Sequence, residues 1–210
     1  MLRNLGIVNS GGQFDIGRYL GVASGGERWD QIPGNTFYHN QGQVLLEMTD
    51  PRKSDSGAMF VAAASYVLNG DQMVSTGAQV SVVAPEIARI LGRLGELPPT
   101  TGFVFQDYLR GGMNGTPLAL GYASEAASPL PAGGIGLPLN VTVNCVHTVV
   151  SFDGNGKRLG QLLANDQVLL NLEQKFGFEN GTGIPDPNFG ISPPTAHFLE
   201  DLVNEVTPQS

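Results

Sequence analysis

Two long stretches of the chain carry almost no charge: between Ser56 and Pro85 the only ionised residue is Asp71, and between Gly111 and Phe152 the only one is Glu125. Together they make about a third of the 210 residues. A domain of this size cannot hide so much chain from its surface, so some uncharged surface is expected. Charge-depleted surface suits the centres of subunit contacts, and the walls of a sealed ligand cavity are its other natural place. Only 14% of all residues are charged, against about a quarter in an ordinary soluble domain. With 41% hydrophobic residues the chain still has ample material for a core. One domain over residues 1–210 is expected, with a C-terminal extension from about 177.

The same composition excludes several classes. The net charge is −8, and the densest basic cluster is the pair Arg52-Lys53, flanked by the turn residues Asp50-Pro51 and Ser54-Asp55. Direct nucleic-acid binding needs a basic face that the chain lacks. Cys145 is the only cysteine, so neither an internal disulfide nor a cysteine-based zinc site is possible. The longest apolar run, Ala58 to Ala64, is too short to span a bilayer. Residues 1–10 hold no run of seven apolar residues, so no secretory signal is expected, and the location expected is the virion or the cytoplasm. The sequons at Asn114, Asn140 and Asn180 then have no glycosylation meaning.

Periodicity points to a mainly β fold. Met59–Leu68 and Gln72–Val83 flank Asn69-Gly70-Asp71, whose residues tolerate a tight turn, and Val74, Thr76, Ala78, Val80 and Val82 share one face at period two. A second hairpin is expected from Val141–Phe152 through Asp153-Gly154-Asn155-Gly156 to Lys157–Leu163. Phe37–Met48, Gly102–Leu109, Leu5–Val8 and Pro117–Tyr122 raise the total to seven or eight strands, as in an antiparallel β-sandwich, a jelly roll or a barrel. Two helices interrupt them. Pro85 opens one over 85–94, with Ile87, Ile90, Leu91 and Leu94 on one stripe. Phe198, Leu199, Leu202, Val203 and Val206 mark another over 195–206, which docks on its own domain or on a neighbour. Asp166–Phe176 fits a helix started by Asp166 and ended by Gly177, although Gln167–Asn171 also fits a strand, and the helix is preferred. Glu125–Pro138 reads as a long loop.

No motif names a chemistry. The chain holds no G-x-S-x-G elbow, H-E-x-x-H, phosphate-binding loop or dinucleotide fingerprint, and no cofactor or metal is expected. Asp153-x-Asn155-x-Lys157 starts like a calcium loop but has Arg158 and Ala164 where that loop needs Gly and Glu. His39, His147 and His197 stand far apart. His147 shares a strand face with Val143, Cys145 and Val149, so a cavity there makes it a candidate base, with Tyr108 beside it and Trp29 as a ligand contact.

Gln13-Phe14-Asp15-Ile16-Gly17-Arg18-Tyr19-Leu20-Gly21 resembles the opening of the first lipocalin signature. In that family a tryptophan normally follows soon after the glycine. Here Val22-Ala23-Ser24 follows and Trp29 comes eight positions after Gly21. The resemblance covers nine residues, and it implies a calycin-like barrel with a small apolar ligand.

Two functions follow as expectations. The first is a structural protein that assembles with copies of itself, such as a viral or phage coat or shell subunit. The second is a small barrel that binds an apolar ligand, with a cyclase or isomerase activity resting on shape and on His147, Tyr108 and Trp29.

Overall fold

The computed structural model describes residues 1–126, 130, 133–143, 148–178 and 190–207. About 49% of the described residues are helical. In chain order the elements are α1 (Ile16–Gly25), α2 (Asp55–Leu68), α3 (Gly77–Leu91), α4 (Thr101–Gly111), α5 (Ala123–Ala126), β1 (Thr142–Val143), α6 (Gly154–Asn165), α7 (Gln167–Lys175), β2 (Gly190–Ile191) and α8 (Ala196–Val206). Single 3-10 turns lie at Trp29–Gln31 and Gly112–Asn114. β1 and β2 are the one sheet among the described residues, a parallel pair with Thr142 opposite Gly190.

The core is helix on helix. In α3, Val80, Val83, Ala84, Ile87, Ile90 and Leu91 recur at helical spacing and are buried. Its start is held by reciprocal caps: the Gln79 N–H donates to Thr76 Oγ1 at 3.2 Å, and the Ser75 N–H donates to Gln79 Oε1 at 2.9 Å. Pro85 sits on the exposed face in mid-helix, where its missing N–H removes one backbone bond without breaking the element. α3 packs along α8, α1 and α2. α2 enters against the chain before it. A Cβ on Gly57 would lie 2.6 Å from the Thr49 carbonyl oxygen and 2.9 Å from Pro51 Cα, so only glycine fits. Nearby, Asp50 is 3% exposed and pairs with Arg52 at 3.0 Å and Lys53 at 3.3 Å. Burial alone would raise the Asp50 carboxyl, but hydrogen bonds from Arg52 and Lys53 bring it below the usual carboxylate range.

These elements overturn the sandwich, jelly roll and barrel. Met59–Leu68 belongs to α2, Gln72–Val83 largely to α3, Gly102–Leu109 to α4 and Lys157–Leu163 to α6. The Asn69-Gly70-Asp71 turn does exist, with Gly70 at φ 70° and Asp71 at φ 57°, but it joins two helices. Asp153 is the N-cap of α6 rather than a hairpin residue, its carboxylate accepting from the Gly156 N–H at 2.7 Å. The expected helix over 85–94 is the second half of α3. Of Val141–Phe152, only Thr142–Val143 is strand among the described residues. The lipocalin-like segment forms the cap and first turns of α1, with Asp15 accepting from the Arg18 N–H at 2.9 Å, and so enters no barrel. The coat or capsid reading and the calycin-like barrel lose the β framework on which they rested. α7 lies where Asp166 and Gly177 bracket it, and α8 lies under the C-terminal stripe with Leu202 and Val206 buried in the common core.

Candidate functional site

Phe37–Met48 keeps the alternation of an extended segment without building a ladder. Val44, Leu46 and Met48 are buried, while Leu45 and Glu47 are half-buried on the other side. Backbone bonds clamp it between two others. The Val44 N–H donates to Glu27 O at 2.8 Å, the Glu47 N–H to Leu118 O at 2.9 Å and the Leu120 N–H to Glu47 O at 2.8 Å. From the core, the Tyr19 hydroxyl accepts from the Leu46 N–H at 3.0 Å. Burial pushes that phenol up to about 12, against the opposing pull of the Leu46 bond.

A hollow lies near each side of this segment. The first, about 310 Å³, is bounded by Trp29, by Asn40, Gly42, Gln43, Leu45 and Glu47, by Arg93, Leu94 and Glu96 to Pro98 after α3, and by Gly115–Pro117. The second, about 160 Å³, is lined by Tyr108 with Phe14, Leu46, Val104 and Leu118 among mainly apolar neighbours. Trp29 and Tyr108 therefore each border a cavity, but the fold sends them to different ones. His147 and Cys145 lie outside the described residues. His39 is exposed, and His197 is exposed on α8 with Nε2 3.6 Å from Asp201. Among the described residues no group of three or more His, Cys, Asp or Glu is placed to hold a metal ion. The Asn140 sequon serves the fold: its side-chain oxygen accepts from the Ile16 N–H at the start of α1, at 3.0 Å.

The polar groups of the first hollow escaped the sequence reading. Glu47 is half-buried, and its Oε2 is shielded from water without a hydrogen-bond partner among the described residues. Burial raises the carboxyl, the Asp107 charge adds to this, and a bond from the Thr116 side chain opposes it. Arg93 lines the same hollow and donates through Nη1 to the Ala23 carbonyl at the end of α1. One signal was available: Glu47 is the single charged residue between Val44 and Met48, at a position the alternation places opposite the core face.

A different surface lies on α6 and α7. The two helices pack on each other and neither contains a buried residue. Nine large apolar side chains between Val149 and Phe178 are exposed, from 42% at Leu172 to 97% at Phe152. Val168 and Leu172, four residues apart, lie on one stripe of α7 and are both exposed. The charges of residues 149–178 balance, with Asp153, Asp166 and Glu173 against Lys157, Arg158 and Lys175. No helix among the described residues is long and apolar enough to cross a membrane. The chain matches no known protein family, and no match is found among curated proteins or solved structures.

Proposed function

We propose that the protein acts as a self-associating module, in which the apolar face of α6 and α7 packs against the same face of a second copy. One observation carries this reading: two capped helices of 12 and 9 residues hold no buried side chain. Helices of that length are marginal in water unless an apolar face is packed, so a partner surface supplies what the other described residues do not. Charge favours a second copy as that partner. Two molecules of net charge −8 repel, and residues 149–178 form a neutral surface through which they can approach. An aromatic side chain alone buries about 150–250 Å², so nine large apolar side chains bring the contact to the order of the ~800 Å² per partner of a standard interface.

The test is the mass in solution across a hundredfold range of concentration, by light scattering on an eluting peak. Association raises it from 22.1 kDa toward twice that value. The double variant Leu162→Asp, Leu172→Asp, at two exposed positions, should return it to the monomer with core stability retained. A monomeric mass at every concentration, or a double variant that associates like the parent, overturns the reading.

A further inference from the structure

The hollow beside Glu47 is separate from α6 and α7 and holds charges that the fold does not neutralise. Glu47 and Arg93 border one space of about 310 Å³, yet no salt bridge joins them. Charges withdrawn from water are normally paired, and these two are not paired with each other. Arg93 is instead tied back to Ala23, which orients the guanidinium from outside the cleft. Its Nη1 and the Gln43 Nε2 both lie 3.3 Å from the point where Gly26 would carry a Cβ, so two donors converge over a residue with no side chain. Gly26 has φ 74° as the left-handed cap of α1, which keeps that position open. The same lining holds the acceptors: Glu47, and Glu96 as a second carboxylate. Trp29, buried against Tyr38 with ring centroids 5.6 Å apart, supplies a rigid wall.

We infer that this cleft binds a small zwitterion of the amino-acid class, its ammonium taken by Glu47 and its carboxylate by Arg93 and Gln43. The volume of about 310 Å³ is at the lower end of ligand cavities, about 300–1,000 Å³, and suits a single residue. A ligand with both charges gains at each end. A simple amine meets the Arg93 charge without compensation, and a simple acid meets two carboxylates. Glu47 must be ionised to hold the ammonium, so binding releases a proton at acid pH and weakens as the pH falls through the raised carboxyl range.

The experiment is a titration of the full chain, by calorimetry and by thermal shift, with the common L-amino acids. Each amino acid that binds is compared with its decarboxylated amine and its deaminated acid. At least one amino acid should bind saturably and raise the melting temperature with concentration. Removing either charged group from it should weaken binding by about tenfold or more. Glu47→Gln should weaken the amino acid by a similar factor while strengthening the deaminated acid, which then meets one carboxylate fewer; a merely structural loss would not do both. Gln43→Leu, at an exposed position, should weaken the amino acid and the acid but spare the amine. A flat response to every amino acid, an amine that binds as tightly as its amino acid, or an unchanged affinity in Glu47→Gln overturns the proposal.

Discussion

Gly57 and Glu47 show how single positions constrain this molecule in opposite ways. At Gly57 the obstacle to any side chain is backbone, the Thr49 carbonyl and Pro51, and neither can rotate away. Gly57→Ala should therefore destabilise by about 1–3 kcal/mol despite placing a better helix former in α2, read as a lower urea midpoint with an unchanged slope. Glu47 is costly for the opposite reason, because its charge is kept where water reaches it poorly. Its carboxyl is raised above the unfolded value, so the folded state favours the protonated form. The contribution to stability is present in acid and is lost as the pH rises through the folded-state value. The melting temperature of Glu47→Gln minus that of the parent should therefore grow between acid and neutral pH. A difference that is flat over that range would show that Glu47 titrates as in the unfolded chain. Neither constraint is written locally. Gly57 is one glycine among 29, and the local alternation that sets Glu47 opposite the core face does not show that its Oε2 is shielded from water.

Among the elements, α7 and α8 were legible, α3 only in its second half and α2 not at all, and burial explains the division. α7 has Asp166 at its N-cap, accepting from the Val168 and Leu169 N–H groups at 3.0 and 3.2 Å, and Gly177 at φ 76° just beyond it. α8 keeps Glu200, Asp201 and Glu205 off a single apolar stripe. Such one-sided helices show their period. α2 is buried continuously from Phe60 to Ser65, so it has no polar face to mark a period, and a short apolar run of this kind reads equally as an inner strand. In α3 two periods overlap. Val80 fits both, but the strand reading needs Val82 inside, and it is 76% exposed. The decisive signal was the Thr76 and Gln79 capping pair, which the period-two match obscured. Because α7 buries no side chain fully, its cap matters more than usual. Asp166→Ala should cost that helix about 0.5–2 kcal/mol, seen as faster amide hydrogen exchange over 167–175 while α3 is unaffected.

For the whole molecule, the two charge-poor stretches find different explanations. Ser56–Pro85 is α2 with most of α3, and its lack of charge has two places: residues 56–65 lie mostly in the chain's own helical core, whereas most of residues 70–82 form exposed, uncharged surface. The described part of Gly111–Phe152 instead supplies Pro117–Tyr122 and Leu137 to the apolar hollow around Tyr108. The core is closed by the end of the chain: Leu202 on α8 is fully buried against α3. Leu202→Ala should cost about 2–5 kcal/mol in chemical denaturation, and a smaller loss would place α8 outside the cooperative core. The sequence by itself determined the low charge, the bracketing of α7 by Asp166 and Gly177, the apolar stripe of α8, and the turn at Asn69-Gly70-Asp71, because each depends on neighbours a few residues apart. Only the tertiary structure decided that small apolar residues pack as helices rather than strands, that Trp29 and Tyr108 face separate hollows, and that Glu47 and Arg93 share one. Those outcomes depend on which distant surfaces exclude water from one another, and no local pattern carries that information.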